Sequence, residues 1–181
     1  MTALIDTGIF FGFYSLGDVH HVDSLALIVH AIEGRWGRLY ITNHILDETL
    51  TLLKYRISPE TAKAFLDTFI KTDLVQIIFS DRELENESLK IFRESITRKG
   101  LSYTDAVSVA VIRNVKLSRF LTYDLRSFQG LLNNIIGPNY WNTLDRREKE
   151  KYCYWQRNFS LNVLHYVINL LFNVKIGAKH C

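Results

Sequence analysis

Four carboxylates carry the chemistry that this sequence advertises. Asp6 ends the apolar run Ala3-Leu4-Ile5 and is followed at once by Thr7 and Gly8. Glu48 lies within Ile-Leu-Asp-Glu-Thr-Leu-Thr-Leu-Leu at 45–53, Asp105 within Leu-Ser-Tyr-Thr-Asp-Ala at 101–106, and Asp124 within Phe-Leu-Thr-Tyr-Asp-Leu-Arg-Ser-Phe at 120–128. No Lys, Arg or His directly adjoins any of them in sequence. Carboxylates held close together repel, and something must neutralise them. A divalent cation does so with hard oxygen ligands, and Mg²⁺ typically takes one or two carboxylates and keeps several waters. Asp-Thr-Gly is also the signature of aspartic proteases, whose chemistry needs two such acids sharing a proton on an all-β scaffold. A single copy in a helix-rich pattern argues against that reading.

Each acid also has a structural explanation. Asp6 and Asp124 stand where a turn or helix needs a cap. Asp105 completes a capping box begun by Ser102. On a helical wheel through Ile45, Leu46, Leu50, Leu52 and Leu53, Glu48 borders the apolar face, so it is expected to be partly buried and to need a partner. Asp47 points to solvent on the same wheel.

The elements that must position these acids alternate. Strands are expected at 2–5, 38–42, 74–79 and 120–123, with 10–14 as an aromatic turn or helix start. Helices are expected at 21–33 and from a cap at Asn43 to about Arg56. A further helix starts at Ser58-Pro59 and runs through Ile70. A charged helix is capped by Ser80 or Asp81 and stopped by Gly100, and a buried one runs from Ser102 to Asn114. Strands alternating with helices imply an α/β fold with a parallel sheet covered on both faces. Ligands in such sheets lie at the carboxyl ends of the strands. Asp6 and Asp124 fall at that edge. Glu48 follows the second strand, and Asp105 opens the helix before the fourth.

The 181 residues suffice for one domain with a sizeable core. The opening residues are not expected to be a signal peptide, because no basic start is present and Asp6 interrupts the apolar run. The apolar stretch 161–174 contains Asn162, His165, Asn169 and Asn173, and is too short and polar to cross a bilayer. Cys153 and Cys181 have no metal-ligand spacing, and a cytoplasmic location is expected. Residues 1–135 hold 15 Lys/Arg against 16 Asp/Glu, whereas 136–181 hold 7 against 3. That basic excess favours a polyanionic partner, with a solvated basic helix as the plainer explanation.

The four segments, in this order and at these intervals, resemble the PIN-domain family, and within it the VapC-like ribonucleases. The resemblance covers roughly residues 1–135. It implies a three-layer α/β/α sandwich with a central parallel sheet, Mg²⁺ or Mn²⁺ as cofactor, and Asp6, Glu48, Asp105 and Asp124 as the catalytic and metal-binding quartet. Thr122 fits the hydroxyl before the last acid, and Thr7 the small polar residue after the first. It further implies hydrolysis of RNA phosphodiesters by the toxin of a toxin–antitoxin pair, with an antitoxin protein as partner and a homodimeric assembly. The chemistry is coherent, since bound metal activates water and relieves charge at the leaving oxygen. A processing nuclease without antitoxin and a catalytically silent scaffold binding RNA or protein are the rival readings. A phosphate-transfer protein with an aspartate nucleophile would want a second nearby acid, which Asp6-Thr7-Gly8 lacks.

RNA requires a basic rim around such an acidic centre. The candidates are Arg35 and Arg38, flanking Trp36, together with Arg113, Lys116 and Arg119, although ordinary surface charge explains them equally well. Tyr103, next to Asp105, is the better candidate for stacking a base, and Trp36 could equally be core. The segment 136–181 is expected to be a basic, amphipathic helical extension: a solvated charged helix over 145–152, then an apolar face over 159–174 packed on the domain or on a partner subunit.

Overall fold

The computed structural model describes residues 1–97 and 99–150. The strands are β1 (Thr2–Ile5), β2 (Arg38–Thr42), β3 (Val75–Ile78), β4 (Arg119–Leu121) and β5 (Ile135–Ile136). They form one sheet in the order β3-β2-β1-β4-β5, with every pairing parallel. Helices α1 (Thr7–Tyr14), α2 (His21–Ile32), α3 (Asn43–Arg56), α4 (Pro59–Phe65), α5 (Arg82–Glu94), α6 (Tyr103–Val115) and α7 (Leu125–Phe128) flank it. The three-layer α/β/α architecture with a central parallel sheet is therefore present. No described helix is long and apolar enough to cross a membrane.

β1 is central because it is apolar on both faces: Ala3, Leu4 and Ile5 are fully buried. Helix α6 is buried from Ala106 to Ile112 yet helical, which settles the choice between strand and helix for this valine-rich stretch. Its capping box forms, with Ser102 Oγ accepting from Asp105 N at 3.1 Å and Asp105 Oδ2 accepting from Ser102 N at 2.7 Å. Lys116 ends it in the left-handed conformation. In α1, the rings of Phe10 and Phe13 meet Phe65 and Phe69 edge-on, Phe10 at 4.9 and 5.2 Å, and this aromatic cluster seats α1 on α4 and the π-helical turn Leu66–Ile70.

Three local expectations need correction. Thr42, not Asn43, caps α3, its hydroxyl accepting from Ile45 N at 3.0 Å. Asn43 is released to accept from Ser80 N and Oγ. Helix α5, capped by Asp81, stops at Glu94 rather than Gly100, and Ile96 just beyond it is largely exposed. The two-residue strand β5 has no counterpart in the sequence reading. It is too short to show a period, and only its pairing with Phe120 and Leu121 defines it.

The first part of the C-terminal segment docks on α2. Tyr140 and Leu144 are buried, the Tyr140 hydroxyl lies 2.7 Å from His30 Nδ1, and Asp23 Oδ1 accepts from Trp141 N at 2.5 Å. Asp145 and Glu148 form a reciprocal cap for the charged helical turn that follows. The expected apolar face at 159–174 and both cysteines lie outside the described residues.

Candidate active site

The parallel register brings the ends of β1 and β4 level, with Ile5 beside Leu121, so Asp6 and Thr122 leave the sheet side by side. Asp6 is half-buried and caps α1, its Oδ1 accepting from Thr7 N at 2.8 Å. Its Oδ2 accepts from Thr122 Oγ1 at 2.6 Å. The same Thr122 hydroxyl accepts from Asp124 N at 3.1 Å, so one fully buried threonine ties the first acid to the last. Gly137 makes room for this: a Cβ there would lie 2.1 Å from the Thr122 carbonyl oxygen. Asp124 in turn caps α7, accepting from Ser127 N at 3.0 Å and from the Ser127 hydroxyl.

Glu48 arrives from α3. It is exposed, as is Asp47, so the expected partial burial of Glu48 is not what distinguishes the pair. What distinguishes Glu48 is direction: its Oε2 accepts from Thr7 Oγ1 at 2.9 Å, and Thr49 Oγ1 donates to Thr7 Oγ1 at 3.3 Å. Thr7 and Thr49 are buried, and this hydroxyl chain fixes the carboxylate beside the end of β1. Asp105 projects from the first turn of α6, held at one oxygen by its capping box.

The electrostatics join the four. Burial pushes the Asp6 carboxyl up to about 7 against the pull of the Thr122 hydrogen bond, and the charges of Asp105 and Glu48 add to the rise. Burial also raises Asp105, opposed by Ser102 and assisted by the charges of Asp124 and Glu48. Asp6 and Asp105 are therefore each raised in part by neighbouring acids, the condition that a bound cation relieves. Among the described residues no group of three or more His, Cys, Asp or Glu side chains is gathered so that it could hold a metal ion. The carboxylates are hard oxygen donors, of which a cation that keeps part of its water shell takes one or two.

The expected basic rim lies elsewhere. Arg38 begins β2 opposite Thr2, and Arg119 begins β4 opposite Ala3, both at the amino-terminal edge of the sheet. Arg113 and Lys116 stand at the far end of the 13-residue α6, about 12 and 17 Å along its axis from Asp105. Arg35 is a structural residue, its guanidinium 2.7 Å from His30 Nδ1, 2.6 Å from the Tyr140 hydroxyl and 3.8 Å from Glu148. Arg35→Ala is expected to lower stability by about 1 kcal/mol while leaving the salt dependence of RNA affinity unchanged, as thermal melts and binding titrations would show. Trp36 is core. Tyr103 opens α6 two residues before Asp105, but its hydroxyl donates to Glu85 and its ring packs edge-on against His44 and Phe92.

Sequence reasoning missed three features. Thr49 completes the hydroxyl chain to Glu48. Glu85 gathers Ser80, Tyr103 and His44, the last at 2.8 Å, and hydrogen bonds from Ser80 and then Tyr103 hold its carboxyl down at about 2. Third, the exposed Arg82 and Arg126 follow β3 and β4 closely. The rule that located the acids, position after a strand, also locates these cations.

This arrangement can be compared with known proteins. The PIN domain model matches residues 3–130. A VapC ribonuclease of Archaeoglobus fulgidus is 52% identical over 151 residues, covering 83% of this chain and 92% of that protein. The crystal structure of the Sarcin-Ricin loop cleaving toxin VapC20 of Mycobacterium tuberculosis superposes with a TM-score of 0.61 at 22% identity, over 75% of this chain and 99% of that one, a likeness of fold. With its four acids at one end of a parallel sheet and a domain match across most of its length, the chain belongs to the PIN-domain family.

Proposed function

We propose that this chain is a Mg²⁺- or Mn²⁺-dependent endoribonuclease and the toxin of a toxin–antitoxin pair. The observation that carries the reading is the placement of acids at the carboxyl-terminal edge, Asp6 tied to Asp124 through Thr122 and Glu48 held by Thr7, with the charges of Asp105 and Glu48 adding to the rise of Asp6. The VapC ribonuclease at 52% identity supports the substrate class. These four acids would hold the metal, which when bound lowers the pKa of water and screens the phosphodiester.

The chain's own residues supply the rest. Thr122 orients Asp6 and the backbone of Asp124 together, and Thr7 with Thr49 orients Glu48. Asp105 has one oxygen engaged by Ser102, and in this reading the other would serve the metal. Arg82 and Arg126 are placed to attract the RNA backbone to an otherwise acidic edge. Residues 1–135 are the nuclease unit in this reading and 136–181 an extension. An antitoxin protein, a homodimeric assembly and a cytoplasmic location belong to the same proposal.

The test is cleavage of single-stranded RNA by purified protein. Cutting with Mg²⁺ or Mn²⁺ that stops in chelator is the expected result. RNA left intact under all three conditions would leave a silent scaffold. Inhibition by the product of an adjacent short gene would separate toxin from processing nuclease.

A further inference from the structure

We propose that Phe79 is a stacking platform for an unpaired base of the RNA, one to two nucleotides from the bond that is cut; this rests on the nuclease reading above. Phe79 directly follows β3 and is 72% exposed. In the register of the sheet Leu4 lies opposite Tyr40, and Thr42 opposite Ile78. Continued by two residues, that register sets Asp6 level with Thr42 and Ile78, and Phe79 stands one residue beyond. Two strand spacings separate the end of β3 from that of β1, roughly 10 Å, a span that one or two nucleotides of extended single strand cross.

Single exposed apolar residues are common and need no explanation. Phe79 differs in three respects. The first is that its backbone is fixed: the next residue, Ser80, donates to Asn43 Oδ1 from its amide at 2.9 Å and its hydroxyl at 3.0 Å, and the hydroxyl also meets Glu85. The ring is presented from an anchored turn.

The second is that the other aromatics at this edge are committed. Tyr103 is held by Glu85, His44 and Phe92. Tyr123 is stacked on His20 at 4.0 Å and hydrogen-bonded to Ser24. Phe79 alone among these three offers an open face. The third is that the exposed Arg82 follows three residues later in the chain, in the first turn of α5. That pairing tracks single-stranded nucleic acid, the arginine meeting phosphate while the ring takes a base of any identity. A base reaches such a ring only when it is unpaired, so the platform selects single-stranded over duplex RNA.

The test uses the full chain and a fluorescein-labelled single-stranded RNA oligonucleotide of mixed sequence, with binding followed by anisotropy in chelator and cleavage followed in Mn²⁺. Phe79→Ala is expected to weaken binding about five- to a hundredfold, to raise KM with kcat unchanged, and to leave the melting temperature alone. Phe79→Trp should restore binding, and duplex RNA should be insensitive to either change. Unchanged affinity and KM in a Phe79→Ala protein that still cuts RNA would overturn the inference and spare the nuclease reading. Loss that Trp fails to restore would rule out stacking. Unchanged RNA affinity with an altered oligomeric state would assign Phe79 to a protein contact instead. A wild-type protein that neither binds nor cuts RNA removes the nuclease reading and this inference with it.

Discussion

Asp6→Asn is expected to lower kcat/KM for RNA cleavage by about a thousandfold or more while the protein stays folded. Asp6 is the most connected of the four acids. It ends the central strand, accepts hydrogen bonds at both oxygens and feels the charges of Asp105 and Glu48. Asn keeps the shape and one acceptor oxygen, so α1 retains a cap, but the charge that would hold a cation is gone. Thr122→Val removes one donor to Asp6 and one acceptor for Asp124 N without touching charge. Activity there should fall about ten- to a hundredfold, the usual cost of losing a residue that orients metal ligands, and Thr122→Ser should recover most of it. Asp47→Asn is the matched control, exposed and one residue from Glu48, and should change neither cleavage nor melting. Steady-state cleavage in Mn²⁺ beside thermal melts checks all four variants, and a folded Asp6→Asn protein that cuts like wild type would remove Asp6 from the mechanism.

The acids were legible in the sequence because the signals that placed them are local. A strand of three buried apolar residues ends in Asp6, a capping box fixes Asp105, and a short apolar run precedes Asp124. Position at a strand end converts such local signals into a shared edge, since parallel strands all finish at the same side. Glu48 was found for a partly mistaken reason. The wheel assigned it a half-buried setting, whereas its partner is a hydroxyl carried by a different element, Thr7. Helical phase indicates which way a side chain leaves its own axis, and it is silent on what another element brings to meet it.

The bases were misplaced for the complementary reason. Arg38, Arg113, Lys116 and Arg119 share a charge, but charge does not indicate at which end of its element each one stands. Arg38 and Arg119 start strands, and Arg113 and Lys116 finish a helix that begins at the site, so all four fall at the opposite edge. Arg35 was unreadable in another way, because its partners His30, Tyr140 and Glu148 come from the far end of the chain and from a helix whose buried His has no local marker. The cluster around Glu85 likewise joins α3, α5 and α6, and no spacing within any one of them announces it.

The coupling of Asp6 to its neighbours makes stability itself a readout of the site, without any substrate. Its folded pKa, about 7, lies above its ordinary value of 3.8. Between those values the folded protein binds a proton that the unfolded chain does not, so stability in chelator should fall as pH rises from about 4 to 7. Below 3.8 both states are protonated and the penalty vanishes; above 7 it is fully expressed, at about 1.4 kcal/mol for each unit of the rise. Asn at position 6 carries no such penalty but forgoes one hydrogen bond, a loss of about 1 kcal/mol. Asp6→Asn should therefore melt above wild type at pH 8 in chelator and slightly below it at pH 4. Mn²⁺ should narrow that gap at pH 8, because the wild-type protein gains roughly 2.7 kcal/mol at a hundredfold excess over Kd and the variant gains less. The proton and the metal compete for the same carboxylate, so Mn²⁺ affinity of the wild type should also drop by up to about tenfold per pH unit below 7, with one proton released on binding. Calorimetric titration and melts across pH 4–8 would measure both effects. A wild type and an Asp6→Asn variant whose melting curves stay parallel across that range, with and without Mn²⁺, would reduce Asp6 to a helix cap and leave the edge without its metal ligand.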